Sequence, residues 1–490
     1  MSTTGEHVGS QHTLKREFRL WSSFAYAFAF ISPIVALYGI FGLALTTAGP
    51  SFWWAFPIVF GGQVIVALVF GTLVSRWPLE GSIYQWSRRL IGTAFGWFAG
   101  WAYMWTLVIA MATVALGAAG FLASVFGIDS ATAGQKALIA AGILLAGTAL
   151  NLVGRQALKV FMSASIIAEV VGSLGLGTWL LLFHRHNGFD VLTTGGSGTT
   201  GYLSLSGPFM IAIAFAGWSF VGFESAGAIA EEVHEPRRNL PKAIVMSLTF
   251  IALVVMYSSL AIILAIPDLG AVAVGAVSDP VSDTLVSQLG AGIAKPVEVL
   301  FVIGFLASFL ALQTSASRVI WAFSRDDALP GARTLSRLSA RQKVPVVAIC
   351  VTTVIGAALF LLSTVASNIY ALMVNFTVGG FFVAFLFPLW GNVIARVRGR
   401  WQPGVFDLGP AGTAVSIAAL VWAVFEFVNI SWPRPINSQR WLDWSVLIAI
   451  GLFTALGTVI YRSVRNRITD ASVIERDEQA DEAADSVRTQ

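Results

Sequence analysis

No Asp, Glu, Lys or Arg occurs between Leu20 and Ser75, none between Leu90 and Ile128, and none between Val344 and Ala395. A helix needs roughly 20 apolar residues to cross a bilayer, so each run exceeds one crossing and several spans must follow one another without a charged loop. The whole chain is 56% hydrophobic and only 11% charged, with a mean hydropathy of +0.76. Soluble proteins carry about a quarter charged residues. The expected fold class is therefore an all-α integral membrane protein with about twelve transmembrane helices.

The spans are expected at 20–46, 53–75, 95–126, 137–154, 160–183, 208–231, 241–266, 296–323, 344–364, 369–395, 411–431 and 444–461, numbered 1 to 12 below. With both termini in the cytoplasm, the tails and inner loops, counting Lys242 at the inner end of span 7, hold 24 of the 30 Lys and Arg residues, and the outer loops hold Lys136, Arg185, Lys295, Arg434 and Arg440. That asymmetry is the positive-inside bias and fits an even number of spans. It also accounts for the pI near 9.3: the basic residues cluster at span ends facing a lipid bilayer, and no nucleic-acid partner is expected. Lys15, Arg16 and Arg19 lead into a first apolar run too long for a cleavable signal peptide. Residues 1–19 form an N-terminal tail, and 468–490, acidic and without an apolar face, are expected to be disordered. "TTGGSGTTG" between spans 5 and 6 is expected to be a flexible outer loop.

No residue set calls for a metal or other cofactor. Cys350 has no partner cysteine, and His7, His12, His184, His186 and His234 lack a ligand spacing. A membrane enzyme is disfavoured, because the spans carry no metal cluster or Ser/His/Asp arrangement.

Two spans are interrupted. In span 1, "FAFISPIVALYG" places Ser32 and Pro33 near mid-membrane, and proline lacks an amide hydrogen. In span 6, "FAGWSFVGFESAG" places Gly217 and Gly222 around aromatic residues, followed by the acid Glu224. Freed peptide groups at membrane depth are tolerated where they are buried in protein or line a cavity. Their alternative reading is a simple proline kink in span 1 and lipid-facing aromatics in span 6. A polar amphipathic stretch follows span 2 on the inside and another follows span 7 on the outside. Spans 3 and 8 are both long. Five spans repeated in opposite orientation, with broken first helices, is the pattern of an inverted-repeat secondary transporter.

"WSFVGFESAGAIAEEVHEPRRNLPKAI" resembles the sixth-helix signature of the amino acid–polyamine–organocation (APC) superfamily of permeases. "WPLEGSIYQW" after span 2, "FGWFAGWAYMW" opening span 3 and "SASRVIWAFSRDDALP" ending span 8 also match, the last two leaning toward the branch that carries amino acids, γ-aminobutyrate and choline. The resemblance covers most of Phe24 to Arg400. It implies a leucine-transporter-like 5+5 inverted repeat, here a core at 20–400 with two peripheral helices at 401–467, and a substrate held between the breaks of helices 1 and 6. Carried across, the breaks fall at Ile31 to Ala36 and Trp218 to Phe223. The expected substrate-binding residues are Ser32, Pro33, Ile34, Val35, Ala36, Tyr103, Trp218, Ser219, Phe220, Gly222 and Phe223. Many relatives have a glycine-rich first break whose amides hold a substrate carboxylate. "ISPIVA" has no glycine and one proline, which leaves room for an amine or choline-like substrate.

Buried acids cost free energy in a membrane, which marks Glu169 in span 5 and Glu224 in span 6 as proton-coupling candidates. Glu169 resembles the position where proton-coupled relatives place a lysine or histidine, close to a sodium site in sodium-coupled ones. Its alternative is a protonated structural acid. Glu298 and Glu426 are expected near outer span ends, and Arg318 near an inner end from which it can snorkel. The expected function is a plasma-membrane permease moving a small amino acid or related amine by alternating access, coupled to protons. Alternatives are an amino acid/amine exchanger, a choline, γ-aminobutyrate or polyamine permease, or a transport-inactive receptor or scaffold.

Overall fold

A computed structural model describes residues 18–128, 131–194, 201–277, 279–339, 342–361, 369–434 and 440–468. Within these residues the long elements are helices, and a lone β-bridge joins Phe18 to Val233. Among the described residues eleven helices are long and apolar enough to cross a membrane, from Leu20–Ala48 to Ser445–Val464, and each coincides with an expected span. The expected ninth span is represented by the 14-residue helix Val346–Leu359. Residues 362–364 of it lie outside the described residues, as do most of both tails and residues 195–200 of the outer loop before span 6.

Burial grades the spans. In span 1 the most apolar stretch is 89% buried and in span 6 it is 94% buried, against 28% in span 11 and 17% in span 12. The two interrupted helices are therefore wrapped by protein, while the last two present most of their surface outward. Span 8, 35 residues long, packs against spans 3, 5, 4 and 1; span 7 packs on spans 2 and 1; span 10 joins span 3 to span 11.

The stretch after span 2 is not a surface amphipath. Ile83–Ile91 is helical, and Ile83 to Arg88 are buried beneath spans 3 and 10. Between spans 7 and 8, Asp268 and Asp279 cap two short helices by accepting from the amides of Ala271 and of Val281 and Ser282, satisfying donors that a helix start leaves open.

Lipid tails supply no hydrophobic drive between helices, so close packing and interhelical hydrogen bonds hold a bundle together. Spans 4, 8 and 9 share such a cluster. The Gln313 side-chain amide donates to Thr148 at 2.9 Å and Thr353 at 3.1 Å, and accepts from Asn151 at 3.1 Å. Gln313→Leu strands the Asn151 donor in a dry interface. It is expected to cost about 1–2 kcal/mol, read as a lower thermal-unfolding midpoint of the purified protein.

Candidate substrate site at the two helix breaks

Span 1 is broken at one residue. Helix Leu20–Ile31 stops at Ser32, whose φ of 50° and ψ of 116° are non-helical, and helix Pro33–Tyr38 resumes at once. Pro33 fits there because a first helical residue has no use for an amide hydrogen. The break splits the Phe30 carbonyl from the Ile34 amide, which an unbroken helix would pair. Each finds a side chain instead. Ser308 of span 8 donates to the Phe30 carbonyl at 2.6 Å, and Glu169 of span 5 accepts from the Ile34 amide at 2.9 Å. Glu169 also accepts from the Ser32 hydroxyl. Val170–Gly175, directly after Glu169, forms a π-turn, and Tyr38 donates to the Gly172 carbonyl at 3.0 Å. Glu169 thus faces the first break, although Ile167, Val170 and Val171 around it are exposed.

Span 6 breaks over four residues. Helix Pro208–Trp218 ends, and a 3₁₀ segment runs from Phe223 to Glu232. Gly222 turns the chain with φ of 101°, a left-handed conformation that glycine alone adopts without penalty. Its missing side chain also lets the Phe30 ring lie against it. Glu224 closes the turn: Oε2 accepts from the Gly222 amide at 3.1 Å and Oε1 from the Tyr103 hydroxyl of span 3 at 3.0 Å.

The breaks meet. Trp218 Nε1 donates to the Val35 carbonyl at 3.0 Å, and the Ser219 hydroxyl donates to the Ala36 carbonyl at 2.6 Å. Ser32, Pro33, Ile34, Val35, Ala36, Trp218, Ser219 and Gly222 are brought together and buried. Phe220 and Phe223 are buried too, but pack elsewhere: Phe220 against Phe56 and Phe60 of span 2, Phe223 against Phe70 and Phe385. Neither faces lipid.

Two residues escaped the sequence reading, and a third, expected only near an outer span end, lies beside the second break. Ser308 looks like one small residue among many. Tyr370 of span 10 brings a buried hydroxyl with no hydrogen-bond partner among the described residues; a β-carbon placed on Gly39 would lie 2.8 Å from it and 3.2 Å from Trp218 Nε1. Glu426 of span 11 is fully buried, and a β-carbon placed on Gly217 would lie 3.9 Å from its Oε2. No periodicity announces any of them, because each acts across the bundle.

Arg318 corrects an expectation. It does not snorkel: it is 3% exposed, with Nε and one terminal nitrogen each 3.2 Å from Glu232 Oε1 at the end of span 6. A ring of ion pairs continues from there, Arg325 with Glu231 at 3.2 Å and Arg88 with Asp326 at 2.6 Å. These join span 8 to the base of span 6 and to Ile83–Ile91, closing that end of the bundle.

Membrane-crossing helices wrapped around two facing backbone breaks, shut at one end by ion pairs, define a multi-pass membrane transporter rather than an enzyme. The sequence profile of the family described as amino acid permease matches residues 18–455, and the chain belongs to that family. Among its relatives, the amino-acid permease BAT1 homolog of Oryza sativa subsp. japonica is 25% identical over 91% of this chain and 90% of its own length. The branched-chain amino acid permease BcaP of Bacillus subtilis is 25% identical over 82% and 86%. An uncharacterized amino-acid permease of Schizosaccharomyces pombe is 24% identical over 90% and 83%.

Trp218→Leu removes both the indole donor and its bulk beside Val35. The variant is expected to fold with a lowered thermal midpoint, because the buried Val35 carbonyl loses its donor, and to weaken substrate affinity or slow transport severalfold, read by ligand binding and initial uptake rates. Unchanged kinetics would reduce Trp218 to packing.

Proposed function

We propose that this permease carries a small amino acid or related amine across the plasma membrane together with protons, by alternating access between the breaks of spans 1 and 6. The observation that carries the proposal is the pairing of each break with one buried acid. Glu169 accepts from Ser32 and the Ile34 amide, and Glu224 accepts from the Gly222 amide and Tyr103. A carboxylate accepts several hydrogen bonds; once protonated it gains a donor and gives up acceptor capacity. Protonation therefore weakens the hold of each acid on its break, and deprotonation restores it. Water reaching one acid from one side and the other acid from the opposite side would make these changes directional.

The substrate's positive amine fits the carbonyls of Val35 and Ala36, now occupied by Trp218 and Ser219. Those two donors would yield to an ammonium, which makes stronger hydrogen bonds to a carbonyl than a neutral group does. The uncommitted Tyr370 hydroxyl is a donor for the substrate's other end. The Bacillus subtilis relative is named a branched-chain amino acid permease, which favours an apolar side chain, and the buried Ile34 and Phe305 on spans 1 and 8 suit one. Positive charge concentrated on one side supports a cytoplasmic position for both termini.

Uptake into proteoliposomes under an imposed proton gradient, with sodium absent, is expected to proceed. Collapse on removal of sodium would overturn the proton reading. Glu224→Gln is expected to bind substrate yet lose gradient-driven accumulation. Glu169→Gln separates two roles: retained binding without accumulation marks a proton carrier, whereas binding weakened at every pH marks an amine ligand. Accumulation only against a counter-substrate inside the vesicle would show an exchanger.

A further inference from the structure

Among the described residues, the ion-pair ring at the basic end has more acids than arginines. Glu80, in the connection between span 2 and helix Ile83–Ile91, is fully buried. Its backbone amide donates to Glu231 at 3.2 Å, which fixes the connection to the base of span 6. Neither oxygen of its own carboxyl has a hydrogen-bond partner among the described residues. The groups acting on it are Glu231 and Glu232 from span 6, Arg318 and Arg325 from span 8, and the Tyr26 phenol from span 1. Arg318 is paired with Glu232 and Arg325 with Glu231, while Tyr26 is engaged with Ala311 and Ser315. Among the described residues these two guanidiniums are each paired with a carboxylate other than Glu80, and both Glu80 oxygens stay without a hydrogen bond. A buried ionised carboxylate with neither a counter-charge of its own nor a hydrogen bond is strongly disfavoured.

We propose that Glu80 is a proton-binding site that loads when the basic end of the transporter closes and unloads when that end opens to water. It rests on the reading that the protein alternates access, and adds a proton site at the gate, separate from Glu169 and Glu224 at the breaks. The proton comes from, and returns to, the solution on that side.

The direction follows from burial. Desolvation, and next the neighbouring Glu232 and Glu231 carboxylates, push the Glu80 carboxyl well above the ordinary carboxylate range, while Arg318 and Arg325 pull it partly back. In the open state, hydrated, it titrates at an ordinary value. The closed state therefore has its full advantage below the ordinary carboxylate range and loses it as pH rises through the closed-state value. Between those limits each pH unit moves the balance toward the open state by up to about tenfold.

Two buried positions report opening of this end. Ala322 of span 8 is fully buried, and a β-carbon on Gly81 would lie 3.1 Å from its methyl group; Ser23 of span 1 is also fully buried. Each is replaced by cysteine (Ala322→Cys or Ser23→Cys) in the full chain carrying Cys350→Ala, reconstituted in vesicles. Alkylation by a water-soluble maleimide is then timed across the neutral range. Dividing each rate by the rate with Glu80→Gln at the same pH removes the thiol's own titration. The ratio is expected to climb with pH at both positions, by up to about tenfold per unit, and Glu80→Asp to keep the climb. A flat ratio, or a climb at Ala322→Cys alone, overturns the proposal. Should Glu80→Gln fail to fold, the wild-type rates are corrected instead by the same thiols in unfolded protein, and a flat result again overturns it. Alkylation needs no substrate, so this outcome is independent of whether proton-coupled uptake is observed.

Discussion

A peptide group that leaves its helix inside hydrocarbon must find another partner, because neither lipid nor bulk water will supply one. The split between the Phe30 carbonyl and the Ile34 amide therefore recruits side chains from two other spans, Ser308 of span 8 and Glu169 of span 5. The break in span 6 closes on its own acid, Glu224, with Tyr103 of span 3 as the second donor. Spans 3, 5 and 8 are thereby fixed against the interrupted pair. Mutual hydrogen bonds from Trp218 and Ser219 to Val35 and Ala36 complete the centre. Motion of one break without the other would strand polar groups on both.

The same accounting explains where charge sits. Acids are tolerated at the breaks because freed amides and hydroxyls meet them there. Arginines are tolerated at the basic end because Glu231, Glu232 and Asp326 pair with them. Elsewhere the bundle uses neutral polar clusters such as Gln313 with Thr148, Asn151 and Thr353, which carry no charge-burial cost. Glu426, like Glu80, is fully buried with neither oxygen hydrogen-bonded among the described residues, and it lies beside Gly217. The charge acting on it is Arg434, just past the end of span 11.

Charge-free runs and basic loop ends by themselves determined the class of fold, the span order and the spans' approximate limits, since hydrocarbon thickness sets helix length whatever the partners are. Local chemistry placed the breaks to within a few residues, because Pro33 and Gly222 act on their own backbone. What only the tertiary structure decided is who answers those breaks. Ser308, Tyr370 and Glu80 look ordinary in sequence and acquire meaning from neighbours more than a hundred residues away, for which no periodicity or spacing gives a signal. Arg318 is a further case: its sequence position suggested a side chain reaching for water, and its partner is Glu232, 86 residues away. Phe220 and Phe223 likewise point away from the meeting of the breaks, into spans 2 and 10. A one-dimensional pattern can show that a polar group in hydrocarbon needs a partner, but which group answers depends on which faces the packed helices turn toward one another.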